Sequence, residues 1–521
     1  MQVPMNSDAA IEDLQVLMTA EEAYPALERA VLAAKRDISA CFRIFDLRTR
    51  LRSPQARRIG TTWFDLLRHT LDRGVAVRLV VSDFDAIAAV ELHRQAWQTC
   101  RQITALREAA EPGAKLTFRV ALHDARCGAL PRAIFYPLAR SKMRKMIADW
   151  NRMTPAQRDR FRSETPGLRD VIHVDEHDQL RFPWKLPQVH PATHHQKLAV
   201  FDGAKVYIGG LDLNERRFDT KDHARAADET WHDVQVMATG PVAAAAQAHL
   251  DTFVESVAGD TPPPPPPMAG FLRTISKSRV NAPLWLSPKT LINEIETAHL
   301  RAIGQSQRLI YLETQFLRHM PLARALARRA RDCPALKLIV VVPAAPEDAA
   351  FSDDPGLDSR FGEHQQVRVI NCLRSAFGPE RLLIASPVQP RSSNSAERDA
   401  LENAPVVYVH SKVSIFDDSA AIVSSANLNG RSLRWDTEAG LHITRKDQVD
   451  DVRQQAMGCW LPEGAGPEFM DCDDGFAHWS ALVRTNGALP PQHRRGFLVE
   501  YDSDAARAMA TPVPGMPADM V

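Results

Sequence analysis

HHQKLAVFDGAKVYIGGLDLNERRFDT (His194–Thr220) and VHSKVSIFDDSAAIVSSANLNGRSLRWDT (Val409–Thr437) are two copies of one pattern. From His195 the steps to Lys197, Asp202 and Asp212 are 2, 7 and 17 residues. From His410 the steps to Lys412, Asp417 and Asn427 are again 2, 7 and 17. Each copy continues Leu-Asn and then places an arginine two residues on, Arg216 and Arg431. A single His-x-Lys-x-x-x-x-Asp match carries little weight, whereas two with matched downstream spacing mark a duplicated unit. KLAVF and KVSIF are β-branched or aromatic runs, and Asp202-Gly203 and Asp417-Asp418 are turn pairs, so each copy predicts a strand entering a hairpin. Side chains two apart on a strand share a face at about 6–7 Å, which pairs His195 with Lys197 and His410 with Lys412.

Working outward, the six prolines Pro262–Pro267 favour an extended spacer and divide the 521 residues into similar halves. The expected organisation is a first half over residues 1–258, a proline-rich linker over 259–269, a second half over 270–465 and a peripheral extension over 466–521. In the first half EEAYPALERAVLAAKRD reads as an amphipathic helix and ISACFRIFD as a strand. A helix near Thr61–Arg73 and the buried strand VAVRLVVSD follow. In the second, a helix around Ser287–Ile303 precedes RLIYLETQFL, and a helix near Leu322–Arg331 precedes KLIVVVP. Alternating strands and helices predict an α/β layer architecture in each half.

Composition narrows the function classes. Apolar residues at 45% and charged residues at 25% are those of a globular protein. With 64 basic and 64 acidic residues the formal charge is zero, which counts against a dedicated nucleic-acid binder. The seven cysteines are scattered, with no Cys-x-x-Cys pair to suggest structural zinc or a disulfide framework. No secretory signal profile or membrane-spanning run is visible, so the expected location is cytoplasmic or peripheral to a membrane. Export without a cleaved signal, as an effector, stays open.

The residue types at these spacings suit substitution at phosphorus. Two facing halves offer one imidazole as nucleophile, a second as acid, and two ammonium groups for the anion. The return strands KVYIGG and AAIVSS end in small residues, Gly209-Gly210 and Ser424-Ser425, which predict close approach of a bulky anion to the backbone. Asp212 and Asn427 then reach the same space. The aspartates Asp202 and Asp417, at the turns, are expected to hold loops. Asp233, opening DVQVMAT, and Glu438, on EAGLHI, are the expected carboxylate partners of the two imidazoles, favouring their charged form.

These segments resemble the phospholipase D superfamily, whose mark is a duplicated His-x-Lys-x-x-x-x-Asp followed by Gly-Ser-x-Asn or Gly-Gly-x-Asp. The resemblance runs from about Glu21 to about Trp460. GGLDLNERRFDT (Gly209–Thr220), WHD (Trp231–Asp233) and YLETQFL (Tyr311–Leu317) are most similar to the phosphatidylcholine-hydrolysing members of eukaryotic type. Ser424-Ser425 stands where Gly-Ser is usual, and Thr314 where Asn is. The resemblance implies two α/β/α sandwich halves related by a pseudo-twofold axis, with the site at their interface. It also implies a covalent phosphohistidine formed without metal or other cofactor, with His195 attacking phosphorus and His410 serving as acid and then as base. Lys197, Lys412 and Asn427 would hold phosphoryl oxygens; Gly209, Gly210, Asp212, Ser425, Glu313 and Gln315 are the further candidates for contact with substrate. The implied activity is hydrolysis of phosphatidylcholine or phosphatidylethanolamine to phosphatidic acid, with transfer to other alcohols open to the same intermediate. The implied partner is a phospholipid membrane surface, nucleic acid is not expected, and a monomer suffices for catalysis.

Other readings compete. A cardiolipin-synthase-like phosphatidyltransferase or a nuclease would use the same motifs, and a lipid-binding scaffold would need none of the reactive groups both copies keep. His173, His177, His190, His194 and His195 are dense enough to suggest a metal site, though Pro183, Pro187 and Pro191 interrupt them. Met143, Met146, Ile147 and Trp150 alternate with Arg140, Lys142, Arg144 and Lys145, as in a membrane-surface helix or one packed on its own domain. Head-group choice is expected to lie in loops such as Glu347–Gly362.

Overall fold

Two mixed β-sheets, one per half, organise the chain. The structure is a computed structural model and describes residues 10–169, 171–182, 186–265, 270–279, 282–352 and 355–521. The first sheet contains β1 (Leu14–Met18), β2 (Asp37–Phe42), β3 (Ala76–Ser82), β4 (Leu116–Ala121), β5 (Leu198–Phe201), β6 (Lys205–Gly209) and β7 (Val234–Thr239). Their order across the sheet is β1-β7-β6-β5-β2-β3-β4. The second contains β8 (Phe271–Lys277), β9 (Lys289–Asn293), β10 (Leu309–Thr314), β11 (Lys337–Val341), β12 (Leu382–Pro387), β13 (Lys412–Phe416), β14 (Ala420–Ser424), β15 (Glu438–Ile443) and β16 (Leu498–Glu500). Its order is β9-β8-β15-β14-β13-β10-β11-β12-β16.

The inner strands correspond one to one: β7-β6-β5-β2-β3-β4 matches β15-β14-β13-β10-β11-β12, with the same parallel and antiparallel senses. The repeat seen in the motifs therefore extends to the whole architecture, a two-halved α/β fold. The strands predicted from ISACFRIFD, VAVRLVVSD, RLIYLETQFL and KLIVVVP form as β2, β3, β10 and β11.

Burial explains the layering. Leu198, Val200, Val206, Ile208, Val234 and Val236 share one apolar core with Val413, Ile415, Ala421, Val423, Ala439 and Leu441. The inner faces of both sheets, with the helices Pro241–Ala258 and Lys446–Gly458, thus form a single core across the halves. Alternate residues face outward, where the helices Thr19–Ala33 and Trp63–Asp72 cover the first sheet and Glu294–Gln305, Met320–Asp332 and Leu357–Phe377 the second.

Three expectations change. The 466–521 segment is not a peripheral extension. Trp479 of the helix Gly475–Ala488 is fully buried in the shared core, and β16 extends the second sheet by pairing with β12. The helix expected around Ser287–Ile303 starts at Glu294, because the β-branched KTLIN forms edge strand β9 against β8. The Met–Trp stripe of the helix Tyr136–Arg152 packs on Ile87, Phe161, Leu168 and Leu180, leaving no apolar face for a membrane; Lys142, Arg144 and Lys145 are solvated. The proline run has neither helix nor strand over 262–265; Pro266 and Pro267 lie outside the described residues.

Candidate active site

Each motif segment crosses to the other half before entering its hairpin. The backbone N–H groups of His195 and Gln196 both donate to the Thr437 carbonyl, at 2.9 and 3.0 Å, and Thr437 N–H donates to Thr193 O at 2.9 Å. Across the pseudo-twofold, His232 N–H donates to Tyr408 O and His410 N–H to His232 O, both at 2.8 Å. Thr437 precedes Glu438 and His232 precedes Asp233, so this stitching sets each histidine beside the other half's carboxyl group. His195 Nδ1 lies 2.8 Å from Glu438 Oε1, and His410 Nδ1 lies 2.6 Å from Asp233 Oδ2. The sequence supplied both orienting carboxyls but left their pairing open; the pairing is reciprocal between halves, and neither half holds a working imidazole alone.

The lysines stand just as close. Lys197 Nζ donates to His195 O at 2.6 Å and sits 3.8 Å from Asp212 Oδ2; Lys412 Nζ lies 3.0 Å from His410 Nδ1 and donates to His410 O. Lys197 is completely buried and Lys412 nearly so. Burial pushes Lys412 down to about 7, with Asp233 opposing. Burial also lowers Lys197, and Asp212 opposes it. Burial drives Glu438 up to about 8 against the pull of Lys197, and Asp233 up to about 6 against that of Lys412. Both imidazoles are held well below their ordinary range, by burial first and by the lysines second. The expectation that the carboxyl partners favour charged imidazoles is therefore corrected: burial and the two lysines outweigh them. An anionic phosphodiester entering here would offset the lysines and return protons to the histidines.

Several candidate contacts with substrate have other work. A side chain at Gly210 would place its Cβ 2.2 Å from Asp233 Oδ1, and one at Gly209 would meet Val234 O at 2.4 Å. Ser425, the counterpart of Gly210, donates its hydroxyl to Glu438 Oε2. The small residues thus make room for, or hold, the orienting carboxyls; the space assigned to an approaching anion is already filled. Asp212 accepts from Ile44 N–H at 2.9 Å and balances Lys197. Glu313 is fully buried and accepts from His232, Ser411, Tyr311 and Trp460, so it is corrected from a substrate contact to a buried structural anion. Gln315 Nε2 donates to Tyr408 Oη at 2.8 Å. Asn427 is buried, and its amide oxygen has no partner among the described residues, leaving that amide available to a ligand.

Asp202 and Asp417 sit in the hairpin turns with positive φ, 52° and 49°. Asp202 accepts from the N–H groups of Lys35, Arg36 and Asp37, and Asp417 from those of Gln307, Arg308 and Leu309. Each thus ties its hairpin to the entry of β2 or β10. Asp417→Ala is expected to cost about 1.5–3 kcal/mol by urea denaturation while leaving turnover per folded molecule within about twofold.

Some site residues escaped the sequence reading. Arg43 lies two residues past Cys41, which pairs with Leu198; Gln315 lies two past Glu313, which pairs with Val413. Leu198 and Val413 are equivalent, so Arg43 and Gln315 are too, and aligning ISACFR with IYLETQ would have exposed the guanidinium. Its charge bears directly on His195. Trp231 covers His410 at a ring separation of 4.5 Å, and the Arg217 guanidinium lies 3.4 Å from the centre of the Trp231 ring. The histidine-rich stretch is spent singly: His190 Nδ1 contacts His123 O and His194 Nδ1 contacts Thr437 Oγ1. Among the described residues no three His, Cys, Asp or Glu side chains converge as metal ligands.

A family model described as "Cardiolipin synthase, PLD-like domain" matches residues 300–460, which contain the second motif. Phospholipase D gamma 1 of Arabidopsis thaliana is 25% identical over 402 residues, covering 53% of this chain and 46% of the relative. The chain belongs to the phospholipase D superfamily. Phospholipase D A of Dictyostelium discoideum is 22% identical over 329 residues, covering 51% of this chain and 25% of that protein. The chain thus spans less than half the length of these eukaryotic relatives. The crystal structure of phosphatidylserine synthase from Haemophilus influenzae shares the fold, with a TM-score of 0.50 at 12% identity and 86% of each chain covered.

Proposed function

We propose that this phospholipase D superfamily protein hydrolyses glycerophospholipids, phosphatidylcholine or phosphatidylethanolamine, to phosphatidic acid and the free head group. The observation that carries the reading is the reciprocal His–carboxyl exchange, with one lysine beside each imidazole. His195 Nε2 attacks phosphorus, and the bond to the head-group oxygen breaks as His410 gives that oxygen a proton. Water then loses a proton to His410 and attacks the phosphohistidine, releasing phosphatidate and restoring both rings. The acid of the first step becomes the base of the second. Lys197 and Lys412 stabilise the equatorial oxygens, a contribution of about 10²–10³ in rate for each donor.

A membrane surface is the proposed partner. Leu284 and Trp285, 68% and 55% exposed, stand beside exposed Leu130 and Ile134, and Gly128 N–H and Leu130 N–H tie the two segments together through Trp285 O and Pro283 O. Arg279 lies over the Trp285 ring at 4.8 Å, giving the apolar-plus-basic composition of an interfacial contact. No described helix is long and apolar enough to cross a membrane.

Incubation of phosphatidylcholine vesicles with the enzyme in dilute ethanol is expected to give choline, phosphatidic acid and phosphatidylethanol, the two lipids sharing one intermediate. Cleavage of DNA without any lipid product would overturn the reading. Phosphatidyl transfer to a lipid alcohol with no hydrolysis would favour the synthase alternative, for which the match over 300–460 speaks.

A further inference from the structure

Behind the motifs the two half-sites differ. On the His195 side the layer is built of His194 against Thr437 Oγ1 and Gln196 against His249 Nε2. On the His410 side it is an unbroken chain of ionisable groups. Asp219 Oδ2 lies 2.7 Å from His223 Nδ1, His223 Nε2 lies 3.3 Å from His232 Nδ1, and His232 Nε2 lies 3.1 Å from Glu313 Oε1. All four side chains are buried.

Counting protons fixes the charge of this chain. Three contacts link two carboxylates through two rings, and each contact needs one hydrogen. Two neutral imidazoles supply only two N–H groups. Both ends already act as acceptors, Glu313 for four donors and Asp219 for three, the Thr220 N–H among them. Asp219 also takes the N–H of Trp231 at 2.7 Å, and Glu313 also takes Ser411, Tyr311 and Trp460, the last through an indole that can only donate. The third hydrogen therefore belongs to the rings.

We propose that His223 and His232 together hold one permanent buried positive charge, and that this charge and Glu313 make Asp233–His410 the proton-donating side of the site. His232 and Glu313 act as positioning residues. His232 O receives the His410 N–H, its neighbour Asp233 holds His410 Nδ1, and Glu313 receives the hydroxyl of Ser411, next to His410. The pair thus grips His410 from both flanks, and His232 adds to the pull of Lys412 and Lys197 against the burial that raises the Asp233 carboxyl to about 6. His232 itself contacts Glu313, His223 and Cys459; around them stand Tyr311 and Ser411 bonded to Glu313, Asp219 and Asp222 acting on His223, and Lys412 acting with His232 on Asp233. Lys412 opposes the effect and Asp219 and Glu313 support it.

The inference builds on the acid role given to His410, and two measurements separate it from that reading. Imidazole ¹⁵N spectra of the unliganded protein need no substrate: one buried ring protonated at both nitrogens through pH 8 is expected in wild type and lost in Glu313→Gln. Two neutral rings would overturn the proposal even if lipid is hydrolysed. In kinetics, Glu313→Gln and His232→Gln are expected to slow phosphatidylcholine hydrolysis about 10–100-fold, and Glu313→Gln, which removes an anion, to move the alkaline limb to lower pH. A p-nitrophenyl diester, whose leaving group needs no acid, should lose less than about threefold. Tyr311→Phe, which removes a hydrogen bond to Glu313 but no charge, should leave the limb in place. Equal losses on both substrates, or a shift in Tyr311→Phe as large as in Glu313→Gln, would reduce the network to a purely structural role and overturn it.

Discussion

His195→Asn is expected to be inert on any phosphodiester, whereas His410→Asn should release about one p-nitrophenol per site from a p-nitrophenyl phosphodiester and then stall. p-Nitrophenolate departs without a proton, so the first step survives loss of the acid. Hydrolysis of the phosphohistidine needs a base and does not survive. Steady-state turnover should fall about 10⁴-fold or more in both variants, because nucleophile and acid–base partner act as a unit. Stopped-flow absorbance separates them by the burst alone. A burst in His195→Asn and none in His410→Asn would exchange the two roles.

Glu438→Gln is expected to lower turnover about 10²–10⁴-fold and yet stabilise the fold. Gln keeps the shape beside His195 and Ser425 but cannot share the proton that moves with the imidazole. The stability sign follows from linkage. The Glu438 carboxyl has a folded pKa of about 8, above its ordinary 4.5. A group raised in this way contributes stability that is full below the unfolded value and is lost as pH rises through the folded one. Between about pH 4.5 and 8 wild type therefore loses stability that Glu438→Gln keeps. By pH 8 the variant should gain on the order of 1–2 kcal/mol in chemical denaturation. An advantage equal at pH 5 and pH 8 would contradict a raised Glu438.

The duplicated motif made half of this legible. Short apolar runs between helical segments placed β2, β3, β10 and β11, because a buried strand shows locally as a few consecutive, largely β-branched residues. The loop-holding aspartates could be read because a carboxylate after a strand and before a turn residue has few uses other than to bind loop N–H groups. Glu313, Gly209 and Gly210 were misassigned for one common reason. Their partners, His232, Gln235 and Asp233, come from distant segments, and only the packed structure shows the space to be taken. The cross-pairing of His195 with Glu438 and His410 with Asp233 depends on strand-like bonds between halves at Thr437 and His232, which no spacing within one half encodes. The segment after residue 465 failed as an expectation because an edge strand of three residues, Leu498–Glu500, is too short to announce itself in sequence.

The central claim is a covalent intermediate on one histidine of a site shared between two halves. Rapid quenching of wild type during turnover of phospholipid labelled at phosphorus, followed by digestion at alkaline pH and mass spectrometry, addresses it directly. The predicted result is an acid-labile phosphatidyl group on the peptide containing His195, absent from His195→Asn. Label on the His410 peptide alone, or turnover with no labelled peptide at any quench time, would contradict it.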